Sequence, residues 1–446
     1  MSRDVNLLMR YIGPSMAGML ICGTFSIVDS IFIGNAMGKA GLAAVAVTWP
    51  LVMLFGAVGD MLGTGAAIII SQSRGAGNIV QAQKAFGNMV SIQLLVAIGM
   101  MILLLLFLTP LLHLFGTAPE LLSNAIAFAR IMIFGSIPCM LTMGWLAVLR
   151  NDGQPALAMW ITVLGLLLNI ALDYLFIFPF RWGVQGAAAA TVVSQTVMCC
   201  SGLVYFFTRY TQLNLNLKIM KLEMPLLKMI VKNGIPSLGS QITVIAMLFL
   251  HNFQAIRYGK VDGLAAYTFI AAIESMGSLL MTGLAAGVQP LVAFFYGAGK
   301  HKRKRRMGNY GYLAALLLGF IFMAVSIVGY RIFPSWFGLE SGVAALAGHG
   351  LLLSSPAFIF LGVIRVAGYY YQSTEKISEA SLLIYGDSFF ALPLCLFVLP
   401  LWFGLDGVWL AMPISRLILF ALLCWLWFGP RVYSSVKGAS VCSTNR

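Results

Sequence analysis

Fourteen Asp and Glu residues are spread over 446 positions, and five of them, Asp29, Asp60, Asp173, Glu274 and Asp387, lie inside long apolar runs. An ionised carboxylate at the centre of a membrane helix costs about 2.5–3.5 kcal/mol, so an acid kept there points to ion or proton chemistry or to a charged ligand. Asn169 and Asp173 are four residues apart, which puts them one turn from each other on a single helix face. With Asp29 and Thr191 they offer carboxylate, amide and hydroxyl oxygens, a set suited to a proton or a small cation. Two carboxylates within a few ångströms cannot both hold a charge cheaply, so such a pair shares a proton and titrates as a unit. The plainer alternative is that each acid is satisfied by neighbouring hydroxyls and amides. Asp60, Glu274 and Asp387 are candidate cavity charges for a cationic ligand, or partners for Arg365 or Arg416. Arg150 and Asp152 read as a pair that fixes the loop around them. No other chemistry is indicated. Six of the seven cysteines (22, 139, 199, 200, 395 and 424) sit in apolar runs, the four histidines lie far apart, and no phosphate loop or nucleophile–base set appears. Neither an enzyme, a bound metal nor a cofactor is expected.

The elements that must carry these residues follow from composition. The chain is 60% hydrophobic and 9% charged, where soluble domains carry about a quarter charged residues. A soluble enzyme, a disordered chain and a secreted disulfide scaffold are thereby excluded. A spanning helix needs about 20 apolar residues. Twelve such runs are present, at 11–34, 41–72, 86–109, 124–149, 156–179, 186–208, 234–257, 263–296, 309–330, 345–372, 380–402 and 407–429. The fold class is an all-α polytopic membrane protein, since the short alternating strands of a barrel are missing. The first run is too long for a cleavable signal peptide.

Charge sets the orientation. Of the 28 Lys and Arg, 20 lie in the tails and even-numbered connections, against 5 in the odd ones (Lys39, Arg181, Arg257, Lys260, Arg331). By the positive-inside rule both termini and the even loops are cytoplasmic. The run Lys300 to Arg306 then faces anionic lipid rather than nucleic acid. Spans 1 and 5 run outward and span 6 inward, so Asp29, Asp173 and Thr191 share one depth.

The second half repeats the first at an offset of 222 residues. Pro14-Ser15 returns as Pro236-Ser237, Gly41-Leu-Ala-Ala44 as Gly263-Leu-Ala-Ala266, and Gly75-Ala-Gly77 as Gly297-Ala-Gly299. Each half has an even number of spans, so both share an orientation and are related by a pseudo-two-fold axis along the membrane normal. The expected organisation is an N-terminal lobe at 1–208, a cytoplasmic inter-lobe loop at 209–233, and a C-terminal lobe with a cytoplasmic tail at 234–446.

Several segments resemble the multidrug and toxic compound extrusion (MATE) transporters. They are IVDSIFIG at 27–34, Gly63-Thr-Gly-Ala-Ala67, Gly75-Ala-Gly77, Leu149-Arg-Asn-Asp-Gly153, Gly283-Leu-Ala-Ala-Gly-Val-Gln-Pro290, Tyr296-Gly-Ala-Gly299 and Phe403-Gly-Leu-Asp-Gly-Val-Trp409. The pattern is closer to the DinF-like branch, because the carboxylates that NorM-like members carry on helices 7 and 10 are missing from 234–257 and 345–372. The resemblance implies that Asp29, Asn169, Asp173 and Thr191 form a first-lobe cation-coupling site. Met143 stands where that network has a helix 4 Asn. It also implies that helix 1 bends about Pro14, which cannot donate a backbone bond, and that this bend shrinks the first-lobe cavity.

The function so implied is secondary active antiport. Amphipathic, cationic drugs or toxic metabolites would leave in exchange for inward protons or sodium, by alternating access of a cavity between two lobes. The alternatives are a flippase for a lipid-linked saccharide precursor and an integral-membrane enzyme. Expected partners are small-molecule substrates, protons or sodium ions and the lipid bilayer, with no nucleic acid. The protein is expected as a monomer in a bacterial plasma (inner) membrane.

Overall fold

The computed structural model describes residues 3–208, 211–214 and 218–442. Parts of the expected inter-lobe loop at 209–233, and residues 443–446 of the tail, lie outside them. The described residues form helices and connections without a strand. In chain order the helices are α1 (Arg3–Gly75), α2 (Ile79–Leu114), α3 (Pro119–Phe134), α4 (Ser136–Asn151), α5 (Pro155–Ile177), α6 (Gly183–Phe206), α7 (Met224–Gly297), α8 (His301–Gly329), α9 (Phe333–Trp336), α10 (Ser341–Ser354), α11 (Ala357–Gln372), α12 (Ile377–Gly386), α13 (Leu392–Phe403) and α14 (Leu405–Cys442).

At 1.5 Å per residue, the 73 residues of α1 and the 74 of α7 would each make a rod of about 110 Å, several times the bilayer core. Both are interrupted. Helical geometry fails at Gly38 (φ 59°, ψ −147°) in α1 and at Lys260 (φ 52°, ψ −142°) in α7. The chain returns on itself at each point, so that Gly41 lies against Ile33 and Gly263 against Ala255. Each long helix thus supplies two spans joined without a loop. Eight described helices are long and apolar enough to cross a membrane, or ten when the bent pairs α3/α4 (51°) and α10/α11 (48°) each count as one span. With α1 and α7 each crossing twice, the twelve spans of the two-lobe arrangement are present.

The 222-residue repeat is also visible in the backbone. Left-handed residues recur at Gly38 and Lys260, Gly77 and Gly299, Gly116 and Gly338, and Gly153 and Glu375. Each marks the same turn in the two halves, where only a positive φ redirects the chain tightly enough.

Packing divides the chain into two compact units. One comprises residues 1–238 with 282–308 and 372–377; the other comprises 239–281, 309–371 and 378–446. In the first, Phe86, Trp145 and Phe206 stack with ring centroids 4.5–5.6 Å apart. Between membrane helices such ring contacts stabilise through close packing rather than through removal from water. Residues of both sequence halves meet inside this unit through glycines. Gly75 lies on the backbone of Phe294 and Gly297 on that of Gln72, the same contact displaced by 222. Likewise Gly65 meets Gly234, and Gly287 meets Ile12. Ser71 Oγ donates to the Pro290 carbonyl at 2.9 Å, and Gln72 Nε2 to that of Ser373 at 3.1 Å.

In the second unit, Tyr267 stacks in parallel on His251 (4.9 Å) and towards Trp409 (6.3 Å), all three buried. The span containing α12 and α13 is not a regular helix: residues Asp387–Ala391 form a π-helical turn between them.

Candidate ion-coupling site

The first unit brings together the four residues expected at one depth. Asp29 comes from the first span of α1, Asn169 and Asp173 from one face of α5, and Thr191 from α6. Asn169 and Asp173 are completely buried, and Asp29 and Thr191 partly so. Thr191 Oγ1 hydrogen-bonds to Asp29 Oδ2 at 3.4 Å and to its own helix at Ala187 O at 3.0 Å. Asp173, Asn169 and Thr191 are all near enough to act on the Asp29 carboxylate, and the charge of Asp29 acts in turn on Asp173. Yet Asp29 Oδ1, both carboxylate oxygens of Asp173 and both polar atoms of Asn169 are buried without a well-formed hydrogen bond among the described residues. Groups left in that state cost about 1–3 kcal/mol each. Such a set favours a species that satisfies several acceptors at once, as a shared proton or a small cation does.

Local sequence explains the convergence. Gly165 sits one turn before Asn169 and is buried; a side chain there would strike Met198 and the ring of Phe25 at 3.3 Å. A glycine at this position lets spans 1, 5 and 6 approach beneath the acids. Pro14 lies well inside α1, toward its N-terminal end and away from Asp29.

The other singled-out acids are placed separately. Asp60 accepts from Thr64 Oγ1 at 3.1 Å, with Arg150 near enough to act on it. In the second unit Glu274 is ion-paired with Arg416, whose Nε and Nη1 are buried without a partner among the described residues. Asp387, at the start of the π-helical turn, feels Arg416 and Arg365, and its Oδ1 is likewise unpartnered. These charges balance one another locally, two acids against two guanidinium groups.

One expectation is widened. Asp152 does more than fix its own loop: its Oδ1 binds Arg74 Nη1 at 2.9 Å, and its Oδ2 accepts from Tyr205 and Thr211, each at 2.7 Å. Arg74 ends α1 and also reaches the Asn151 carbonyl at 3.0 Å. The hub therefore ties α1, α4, α6 and the segment after α6 together. Residues 78 positions apart were invisible as partners because a sequence shows neighbours along the chain, not across helix ends.

Comparison with known proteins places the fold. The MatE family model matches residues 14–175 and 236–396, once in each repeat and over more than half the chain. Multidrug export protein MepA of Staphylococcus saprophyticus is 26% identical over 414 residues, covering 90% of this chain and 88% of its own. MepA of Staphylococcus aureus (strain MSSA476) is 26% identical over 413 residues with the same coverage. A crystal structure of MATE in the straight conformation superposes with a TM-score of 0.90 at 23% identity, covering 98% of this chain and all of that one. An outward-facing multidrug resistance MATE transporter of the MOP superfamily matches at 0.89 and 23%, covering 98% and 99%. At such identity the structures establish the fold alone. With the family match falling on both repeats, the chain belongs to the MatE family, whose members are transporters and not enzymes.

Proposed function

We propose that this protein is a secondary active antiporter that exports amphipathic, cationic drugs or toxic metabolites in exchange for inward protons, with sodium as the alternative ion. The relatives' names support multidrug export. The coupling reading rests on one observation, the buried and under-satisfied group of Asp29, Asn169, Asp173 and Thr191. We further propose lobes at 1–208 and 234–446 that alternate access, a monomer, and a bacterial plasma membrane with both termini cytoplasmic, as the basic loops favour.

In this reading Asp29 and Asp173 share one proton while cargo is absent. A second proton arriving from outside neutralises the pair. Thr191 and Asn169 then rearrange their hydrogen bonds, and the change is passed along span 1 to Pro14, where the missing backbone bond lets the helix bend. Each proton moving inward gains about 2.3 kcal/mol per 100 mV. A one-for-one exchange with a monovalent cationic cargo moves no net charge, so the potential drives export only where more than one proton enters per cargo, and the pH gradient supplies the rest.

The test is transport of an ethidium-like dye by purified protein in liposomes under a proton or a sodium gradient, imposed separately. Asp29→Asn and Asp173→Asn should each abolish gradient-driven efflux while inserting normally. Wild-type efflux by either variant removes the site. Unchanged resistance across a broad dye panel in cells lacking other pumps would favour the flippase.

A further inference from the structure

The glycine seam in the first unit carries an ion-pair cluster at one end. Asp4, in the first turn of α1, is 7% exposed. Its Oδ1 accepts from Arg303 Nη2 at 2.6 Å and Nε at 3.2 Å, and its Oδ2 from Arg306 Nη1 at 2.9 Å. Arg303 is further held by the ring of Phe295, 4.7 Å from its guanidinium carbon. Two arginines thus converge on one carboxylate, and both of its oxygens are used. Charge-assisted contacts of this forked kind are the strong class of hydrogen bond.

Their position is what gives them meaning. Asp4 opens the first helix of one sequence half; Arg303 and Arg306 open the third span of the other. The 222-residue offset allows a direct comparison with the sister position, where Leu226, Gln81 and Lys84 stand in for Asp4, Arg303 and Arg306. There the ion pair is a single one, Lys84 to Glu223 at 2.8 Å, with side chains 47% and 41% exposed. Beside it lies an open cavity of about 350 Å³ lined by Asn78, Gln81, Lys84, Glu223, Leu226 and Met229. The bases are alike, with Arg303 and Arg306 41% and 57% exposed, but the Asp4 side chain is 9% exposed against 41% for Glu223, and a pair exposed on both sides contributes little. The glycine contacts are symmetric across the repeat; the ionic closure is not.

We propose that Asp4, Arg303 and Arg306 are gate residues of the transport cycle, an asymmetric latch that holds the seam closed and must open each time cargo enters from the cytoplasm. The proposal rests on the antiport and topology reading above, under which this end is cytoplasmic. Opening the seam separates the two halves at α1 and α8, and so strips Asp4 of both arginines at once. The latch therefore sets the ratio of closed to open molecules, while the Asp29–Asp173 group supplies the coupling.

The test is a distance measurement by pulsed spin-label spectroscopy. Labels are placed at the exposed positions Val80 and Lys302, in a background with the seven native cysteines replaced. Asp4→Asn should raise the long-distance population about tenfold relative to the short one, the scale of losing charge-assisted hydrogen bonds at a partly exposed site. The double variant Arg303→Gln/Arg306→Gln should do the same, and the swap Asp4→Arg with Arg303→Asp and Arg306→Asp should restore the short distance. Unchanged distributions in both charge-removed variants, or a swap that restores nothing, overturn the latch. Because no ion gradient enters the measurement, a failure of antiport would appear in the liposome assay and not here.

Discussion

Consider Gly297→Ala at the seam. A β-carbon at this position would stand 2.6 Å from the carbonyl carbon of Gln72 and 2.7 Å from its Cα. Ordinary contact begins near 3.4 Å, the Gln72 carbonyl oxygen stands nearer still, and all three obstacles are backbone, so no side chain can rotate aside. The helices must separate by about 0.7 Å or more. Overpacking of this sort costs about 1–3 kcal/mol, and 1.4 kcal/mol is a factor of ten. The closed seam should therefore lose about 5-fold to 140-fold in population. Helix propensity offsets little of this, because Gly297 is the last residue of α7 and the gain from Ala over Gly belongs to helix interiors. The assay uses Ser71→Cys, a seam residue only 1% exposed, in a background without other cysteines. Its alkylation by a membrane-impermeant maleimide in inverted vesicles reads the open fraction. Gly297→Ala should speed alkylation within that range, and Gly75→Ala, the same contact displaced by 222 residues, should match it. An alkylation rate unchanged from the parent in both variants would refute the reasoning that this seam closes by backbone contact.

Two further outcomes are expected. Asp152→Ala leaves the Arg74 guanidinium and the Tyr205 and Thr211 hydroxyls without their common acceptor, whose side chain is 1% exposed. Thermal unfolding in detergent should report a loss of about 3 kcal/mol, against about 1 kcal/mol for Tyr205→Phe. Hydrogen bonds from Arg303, then from Arg306, hold the Asp4 carboxyl below its ordinary value of 3.8. A depressed value means that the stabilisation is fully present above 3.8 and is lost as pH falls through the lower, folded-state value. The Val80–Lys302 distance should therefore stay flat through neutral and mildly acidic pH and lengthen only in strong acid; a transition near neutrality would contradict it.

The twelve spans were legible because a bilayer tolerates few ways of hiding a backbone, and about 20 apolar residues leave an unmistakable mark. The repeat was legible for a similar reason: turns that need a glycine keep one, as Gly77 and Gly299 do. The depth of Asp29, Asp173 and Thr191 followed from span direction, and the structure brings them together. What the sequence concealed was lateral. Hydropathy gives the height of a residue, not the side of the helix it occupies relative to other helices, so the Glu274–Arg416 pair was open between two arginines until α7 and α14 were placed. The Asp4 cluster was concealed differently. Arg303 and Arg306 sit in a basic run whose mass effect on topology masks the two members with a specific partner 299 and 302 residues away. The π-helical turn at Asp387 has no compositional signal at all; a buried acid next to Ser388 reads the same in an α-helix.

The matched left-handed turns have a practical side. Lys260 holds the backbone that Gly38 adopts in the other half, and Glu375 shares a positive φ with Gly153. A side chain in the first of these conformations costs about 1–3 kcal/mol, a burden that its glycine twin escapes. Each half is thus a template for repairing the other. Lys260→Gly and Glu375→Gly should raise the midpoint of thermal unfolding in detergent without touching the acids of the first unit, and a lowered midpoint for both would show that neighbours already compensate the strain. A duplicated architecture keeps, in one copy, the blueprint for hardening its sibling.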